Sequence, residues 1–226
     1  MTDTLQASAI DRQASLRVLA VLVCFAFLCW FLLFSPWTEI SDYIHNEYFW
    51  QGMTLATLTL GILTLLRQRG KLGRLFAFEP RFVVWGFLHA GFLYGLSWLG
   101  VFLVTAIFSS ATAQLEAIYS TRYQLDSAII AALLVLVIAP FEEIFWRGLV
   151  LEELLAILPP RSALWIAIGL YTAVHLWAMN PMLLLAAFVL GAHWSLLYWK
   201  YKSLLPGLIS HAVWDVLIFV VFPVPL

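Results

Sequence analysis

Apolar residues in this chain come in long unbroken runs, separated by brief polar stretches. "VLAVLVCFAFLCWFLLF" fills positions 18–34 and "AIIAALLVLVIA" fills 128–139. Runs of about 20 apolar residues match the thickness of a bilayer, and they predict membrane-spanning helices rather than the amphipathic helices of a soluble core. Seven spans follow from the pattern: 16–34, 50–66, 82–108, 128–150, 163–179, 182–199 and 204–222. The third is longer than a bilayer requires, so it is expected to tilt or to run on into the following loop. Composition agrees: 63% of residues are hydrophobic and 11% charged, where a soluble domain carries about a quarter charged residues. The expected fold is an all-α polytopic membrane protein with about seven transmembrane helices. No internal repeat divides the chain, so one membrane domain is expected.

Charge placement orients the spans. Arg12, Arg17, Arg67, Arg69, Lys71, Arg74, Arg81, Arg161, Lys200 and Lys202 all fall at one end of the spans. The other end has only Arg122, with Glu39, Asp42 and Glu47 in its first loop. Loops rich in Lys and Arg stay in the cytoplasm, so the N-terminus is expected there and the C-terminus on the far side. The short chain and brief loops are in the style of a prokaryotic protein, which makes the cell membrane the expected location. No basic tract suits nucleic acid. The first span is longer than a signal-peptide core and no small-residue cleavage pattern follows it, so it reads as an uncleaved span. Cys24 and Cys29 both lie within it and read as small core residues rather than a disulfide or zinc site.

Polar residues inside spans are costly and are retained for function or for pairing. The sharpest case is "APFEEIFWRG" at 139–148. On a helix Glu143 and Arg147 are four apart, the spacing of an ion pair, while Glu142 is turned about 100° away. Pro140 cannot bond the carbonyl of Leu136, which predicts a kink and room for water. Taken alone, this is a buried salt bridge beside a polar cavity. Two further stripes change that. "YTAVH" sets Tyr171 and His175 one turn apart, and "HAVWD" does the same for His211 and Asp215. At about 1.5 Å per residue, Glu142 lies about 12 Å, His211 about 10 Å and His175 about 18 Å from the basic end. A shared cavity opening from the cytoplasmic side is therefore expected. A carboxylate with an imidazole can deprotonate water, and a second imidazole can stabilise an oxyanion. No side-chain nucleophile is evident, and there is no H-E-x-x-H pattern. Gly95-Leu96-Ser97 lacks the second glycine of a nucleophile elbow and reads as helix packing.

The three stripes, in this order and each within an expected span, resemble the type II CAAX prenyl endopeptidase family, also called the CPBP or Abi family of glutamic intramembrane proteases. "EEIFWR" matches E-E-x-x-x-R, "YTAVH" is similar to F-x-x-x-H, and "HAVWD" matches H-x-x-x-N/D. The resemblance covers 129–220. It implies a four-helix catalytic core formed by spans four to seven (128–226), with 1–127 as variable N-terminal helices. It implies peptide hydrolysis without a covalent intermediate. Glu142 and His175 would activate water, His211 and Asp215 would occupy the oxyanion-binding positions, and Glu143 and Arg147 would hold the site. Tyr171 stands where the family has phenylalanine, and its hydroxyl is expected at the substrate or in need of a partner. Asp215 stands where many relatives have asparagine. An ionised aspartate cannot donate to an oxyanion, so it must be protonated or must orient His211.

The expected partners are a membrane-associated peptide or protein substrate and the lipid bilayer, with no cofactor, no metal and no nucleic acid. Two alternatives remain at this level. Glu142, His175, His211 and Asp215 could form a two-histidine carboxylate metal site in a metal-dependent hydrolase. The same fold could also serve as a non-catalytic scaffold or immunity protein that binds a peptide in the cavity. His89 and His193 read as packing, His45 as solvated in an external loop, and "LEELLAILPP" as a surface extension of the fourth span.

Overall fold

The structure, a computed structural model, describes residues 2–224, with side chains from residue 13 onward. Arg12, counted above among the basic positions, lies outside the side chains described. Helices α1 (Thr2–Phe34) and α2 (Glu39–Arg67) form a hairpin. A one-turn helix, α3 (Leu72–Leu75), precedes α4 (Pro80–Ile107) and the short α5 (Ala111–Tyr119). The remaining helices are α6 (Ser127–Ile157), α7 (Pro160–Val174), α8 (Pro181–Tyr201) and α9 (Leu205–Val221). Among the described residues, five helices are long and apolar enough to cross a membrane: Gln13–Phe34 within α1, then α2, α4, α6 and α8. The fifth and seventh expected spans are the shorter α7 and α9. In α7 the last turn tightens to a 3₁₀ turn, His175–Ala178, and Met179 reverses the chain in a left-handed conformation (φ 49°).

Local chemistry sets these boundaries. Thr38 and Ser41 form a reciprocal cap on α2, the Thr38 hydroxyl accepting from the Ser41 amide at 3.1 Å. Asp126 caps α6 by accepting from the Ala128 amide, and Asn180 caps α8 by accepting from Met182 and Leu183. Each cap satisfies amides that the first helical turn leaves without partners. Proline opens α4, α7 and α8, where its missing N–H costs nothing.

One end of the bundle carries the basic loops, and it is packed shut. Leu75 and Leu204 are buried, and the Leu204 amide donates to the Leu75 carbonyl at 2.8 Å. Around them Gln68 donates to Glu153, Tyr198 donates to Glu152 at 2.6 Å, and Arg74 pairs with Glu152. "LEELLAILPP" is therefore not a free extension of α6, because Glu152 and Glu153 tie that helix to α2, α3 and α8. At the other end lie the α1–α2 turn, α5 and the α7–α8 turn.

The outer surface is apolar. On α4 only 11% of the most apolar window is buried, with Val84, Phe87, Leu88, Phe92, Leu99 and Phe102 all exposed. A helix apolar all round and unburied belongs in lipid. Cys24 is exposed on this outer surface and Cys29 is half-buried, so at least Cys24 does not pack in the core. Ser97 does serve packing: its hydroxyl donates to the Leu93 carbonyl and accepts from Trp214, linking α4 to α9. The buried core is continuous from α1 and α2 through α6 and α7, with Trp30, Leu33 and Leu60 in the same cluster as Phe145, Trp146 and Tyr171.

Candidate active site

Glu142 and Glu143 sit on α6 between two π-helical stretches, Leu134–Ile138 and Trp146–Leu151. Where the sequence predicts a kink at Pro140, the structure has a stretch of wider turns ending two residues before it, and such turns recur at functional sites. The helix runs on to Ile157, fifteen residues past Glu142, and His175 lies fifteen residues past Pro160. Both are thus about 22 Å from the basic end, which removes the depth difference expected from the sequence.

The two carboxylates meet different partners, as their 100° separation predicts. Glu143 is 1% exposed and is the hub. Its Oε1 accepts from Arg147 Nη1 at 2.9 Å and from His211 Nδ1 at 2.9 Å. Arg147 also donates to the Gly191 carbonyl at 3.0 Å and lies over the Tyr171 ring, 4.7 Å from its centroid. Glu142 Oε2 accepts from the Tyr171 hydroxyl at 3.3 Å, the partner that this buried hydroxyl required.

His175 is held in one tautomer. Its Nδ1 faces the Tyr171 carbonyl at 2.8 Å, an acceptor only, so Nδ1 carries the proton. Its Nε2 faces Trp30 Nε1–H at 3.4 Å, a donor only, so Nε2 presents the lone pair. His211 stacks on Trp194 with ring centres 3.7 Å apart and planes at 17°. With Nδ1 turned to Glu143, its Nε2 looks toward Asp215 Oδ2 at 3.6 Å, which is beyond hydrogen-bond reach.

Glu142, Tyr171, His175, His211 and Asp215 line a single cavity of about 320 Å³. Its walls continue to Phe34, Ser35, Asp42, His45, Thr121 and Asn180, all at the end opposite the basic loops. The expectation of an opening at the basic end is thereby corrected: that end is filled by the Leu75–Leu204 packing and the glutamate network. Among the described residues, none of 65–81, 150–161 or 198–205 lines the cavity. His45 is likewise not simply solvated. It is half-buried, its Nδ1 donates to the Leu33 carbonyl at 2.8 Å, and it lines the cavity.

His89 and His193 pair with each other between α4 and α8, ring centres 4.9 Å apart, and do not line the cavity. Sequence reasoning weighed His193 and passed over its neighbour Trp194, which supports His211. It also missed Trp30. Neither tryptophan has a local polar signal, since each matters through a residue distant in sequence. Among the described residues, no group of three or more His, Cys, Asp or Glu side chains converges as metal ligands. Glu142, His175, His211 and Asp215 thus share a cavity without forming a coordination shell.

No curated protein and no solved structure matches the chain. Residues 124–217, which hold Glu142, Glu143, Arg147, Tyr171, His175, His211 and Asp215, match the family model "Type II CAAX prenyl endopeptidase Rce1-like".

Proposed function

We propose that the protein is an intramembrane endopeptidase that hydrolyses a peptide bond in a membrane-associated peptide or protein tail, with water activated by Glu142 and His175. One observation carries this reading: a carboxylate and two imidazoles from α6, the end of α7 and α9 line one cavity within an apolar bundle. Glu142 takes a proton from water, and His175, its ring fixed by Tyr171 and Trp30, assists from the same cavity wall. The resulting hydroxide adds to the scissile carbonyl carbon. His211, in its protonated ring form, donates from Nε2 to the developing oxyanion. Glu142 then returns the proton to the departing amine nitrogen as the C–N bond breaks, so no covalent intermediate forms. Tyr171 positions Glu142, and Glu143 with Arg147 fixes His211. Asp215 is too far from His211 for a direct bond and acts from the cavity wall, beside the Nε2 that faces the substrate. The lysine and arginine distribution supports a cytoplasmic N-terminus.

Cleavage of membrane-tethered peptide reporters by purified protein tests the reading. Wild type is expected to cut, Glu142→Gln to lose about 10²–10⁴-fold in rate as befits a lost general base, and a chelator to change nothing. Loss of cleavage on chelation would shift the reaction to a metalloenzyme. Reporter binding without cleavage, unaffected by Glu142→Gln, would make the protein a peptide-binding scaffold.

A further inference from the structure

We infer that the cavity is entered from the extracytoplasmic side, so that the substrate is a membrane-anchored peptide whose cleaved segment emerges on that side. The inference rests on the proteolytic reading for its substrate, but its geometry stands independently. Apart from Trp194 and His211, which lie a little past the middle of α8 and α9 on the basic side, the cavity-lining residues lie at the middle of their helices, in the half nearest the arginine-poor end, or in the turns at that end. Phe34, Ser35 and Pro36 come from the α1–α2 turn, Ala117 and Thr121 from α5 and the turn after it, and Ala178 and Asn180 from the α7–α8 turn. The opposite end has no path of this kind. Leu75, Leu149, Leu151 and Leu204 are buried there. Outside them, Gln68, Glu153, Tyr198 and Glu152 bond across α2, α6 and α8.

The charge distribution then decides which compartment each end faces. Ten of the twelve lysines and arginines sit at the closed end, Arg147 is buried in the site, and only Arg122 lies at the open end. The open end carries Glu39, Asp42, Glu47, Glu116 and Asp126. Such an asymmetry sets the closed end in the cytoplasm. A peptide reaching Glu142 must therefore enter past Ser35, His45 and Ala178 from outside.

Single cysteines test this without requiring activity. Cys24 and Cys29 are first replaced by alanine, and cysteine is then introduced as Ala178→Cys at the cavity wall or as Gly70→Cys in the exposed basic loop. In intact cells a membrane-impermeant maleimide is expected to modify the first, and to reach the second only after permeabilisation. The reverse pattern would overturn the inference whatever the protein's activity. Two reporters with the same cleavable segment, tethered on one or the other side, test the substrate. Cleavage confined to the extracytoplasmic reporter is expected. Glu142-dependent cleavage confined to the cytoplasmic one would overturn the inference and leave the proteolytic reading intact. Cleavage of neither would count against proteolysis, and the labelling pattern would still decide the side of entry.

Discussion

Adjacent in sequence, Glu142 and Glu143 leave α6 in different directions, and the consequences of changing their surroundings differ accordingly. Arg147 is 1% exposed and pairs with an equally buried Glu143. Arg147→Ala strands that carboxylate among apolar helices, which costs about 3–5 kcal/mol and should appear as a lowered unfolding midpoint in detergent. Glu142→Gln keeps the shape of a side chain that accepts one hydrogen bond from Tyr171, so its midpoint should stay near wild type. Equal loss of folded protein in both would refute this division between a reacting and a supporting carboxylate. The Glu143–Arg147 pair was legible because its spacing is that of one helical turn. The Glu143–His211 bond was not, because it joins residues 68 apart in sequence. Nothing in a chain of letters distinguishes a histidine that will stack on Trp194 from one that, like His193, turns outward to His89.

At the scale of elements, the hydrophobic runs located the helices well but misjudged some ends. The apolar pattern of α7 continues past His175, whereas the backbone tightens there and reverses at Met179, a change that apolar periodicity does not encode. Close helix approach was equally hidden. Gly191 on α8 faces Tyr171, and a β-carbon there would lie 2.5 Å from the ring's Cδ1. Gly61 on α2 accommodates Phe141 in the same way, at 2.1 Å. Gly191→Ala must displace the Tyr171 ring, which bonds Glu142 and lies under Arg147. Overpacking of this kind costs about 1–3 kcal/mol, and reporter cleavage should fall more than stability does. Gly95→Ala on α4 meets nothing within 4 Å and is the matched control, expected to cleave as wild type does. Equal cleavage by both variants would show that the Tyr171 ring can move without effect on Glu142.

For the molecule as a whole, the family match begins at residue 124, yet the cavity is closed in part by α1 and α2. Trp30 on α1 is buried against Trp146 and His175 and donates to His175 Nε2. Trp30→Phe retains an aromatic ring but removes that donor, together with part of the indole's packing against Trp146. A neutral hydrogen bond is worth about 0.5–1.5 kcal/mol, so cleavage should change by about two- to tenfold with the fold retained; an unchanged rate would leave α1 a packing element only. Fold class and the three polar stripes were legible from the sequence because burial and helical spacing are local properties. The direction in which the cavity opens was not, because it depends on which end the loops fill. That filling has an electrical consequence. In a cavity wet from one end and sealed at the other, most of the transmembrane voltage falls across the sealed end. Glu142 and the histidines then sit near the potential of the compartment they open to, and they sample its proton concentration and its ions. If the proposed hydrolysis takes place there, its rate would follow the medium at that mouth, while the packed Leu75–Leu204 layer closes the other end.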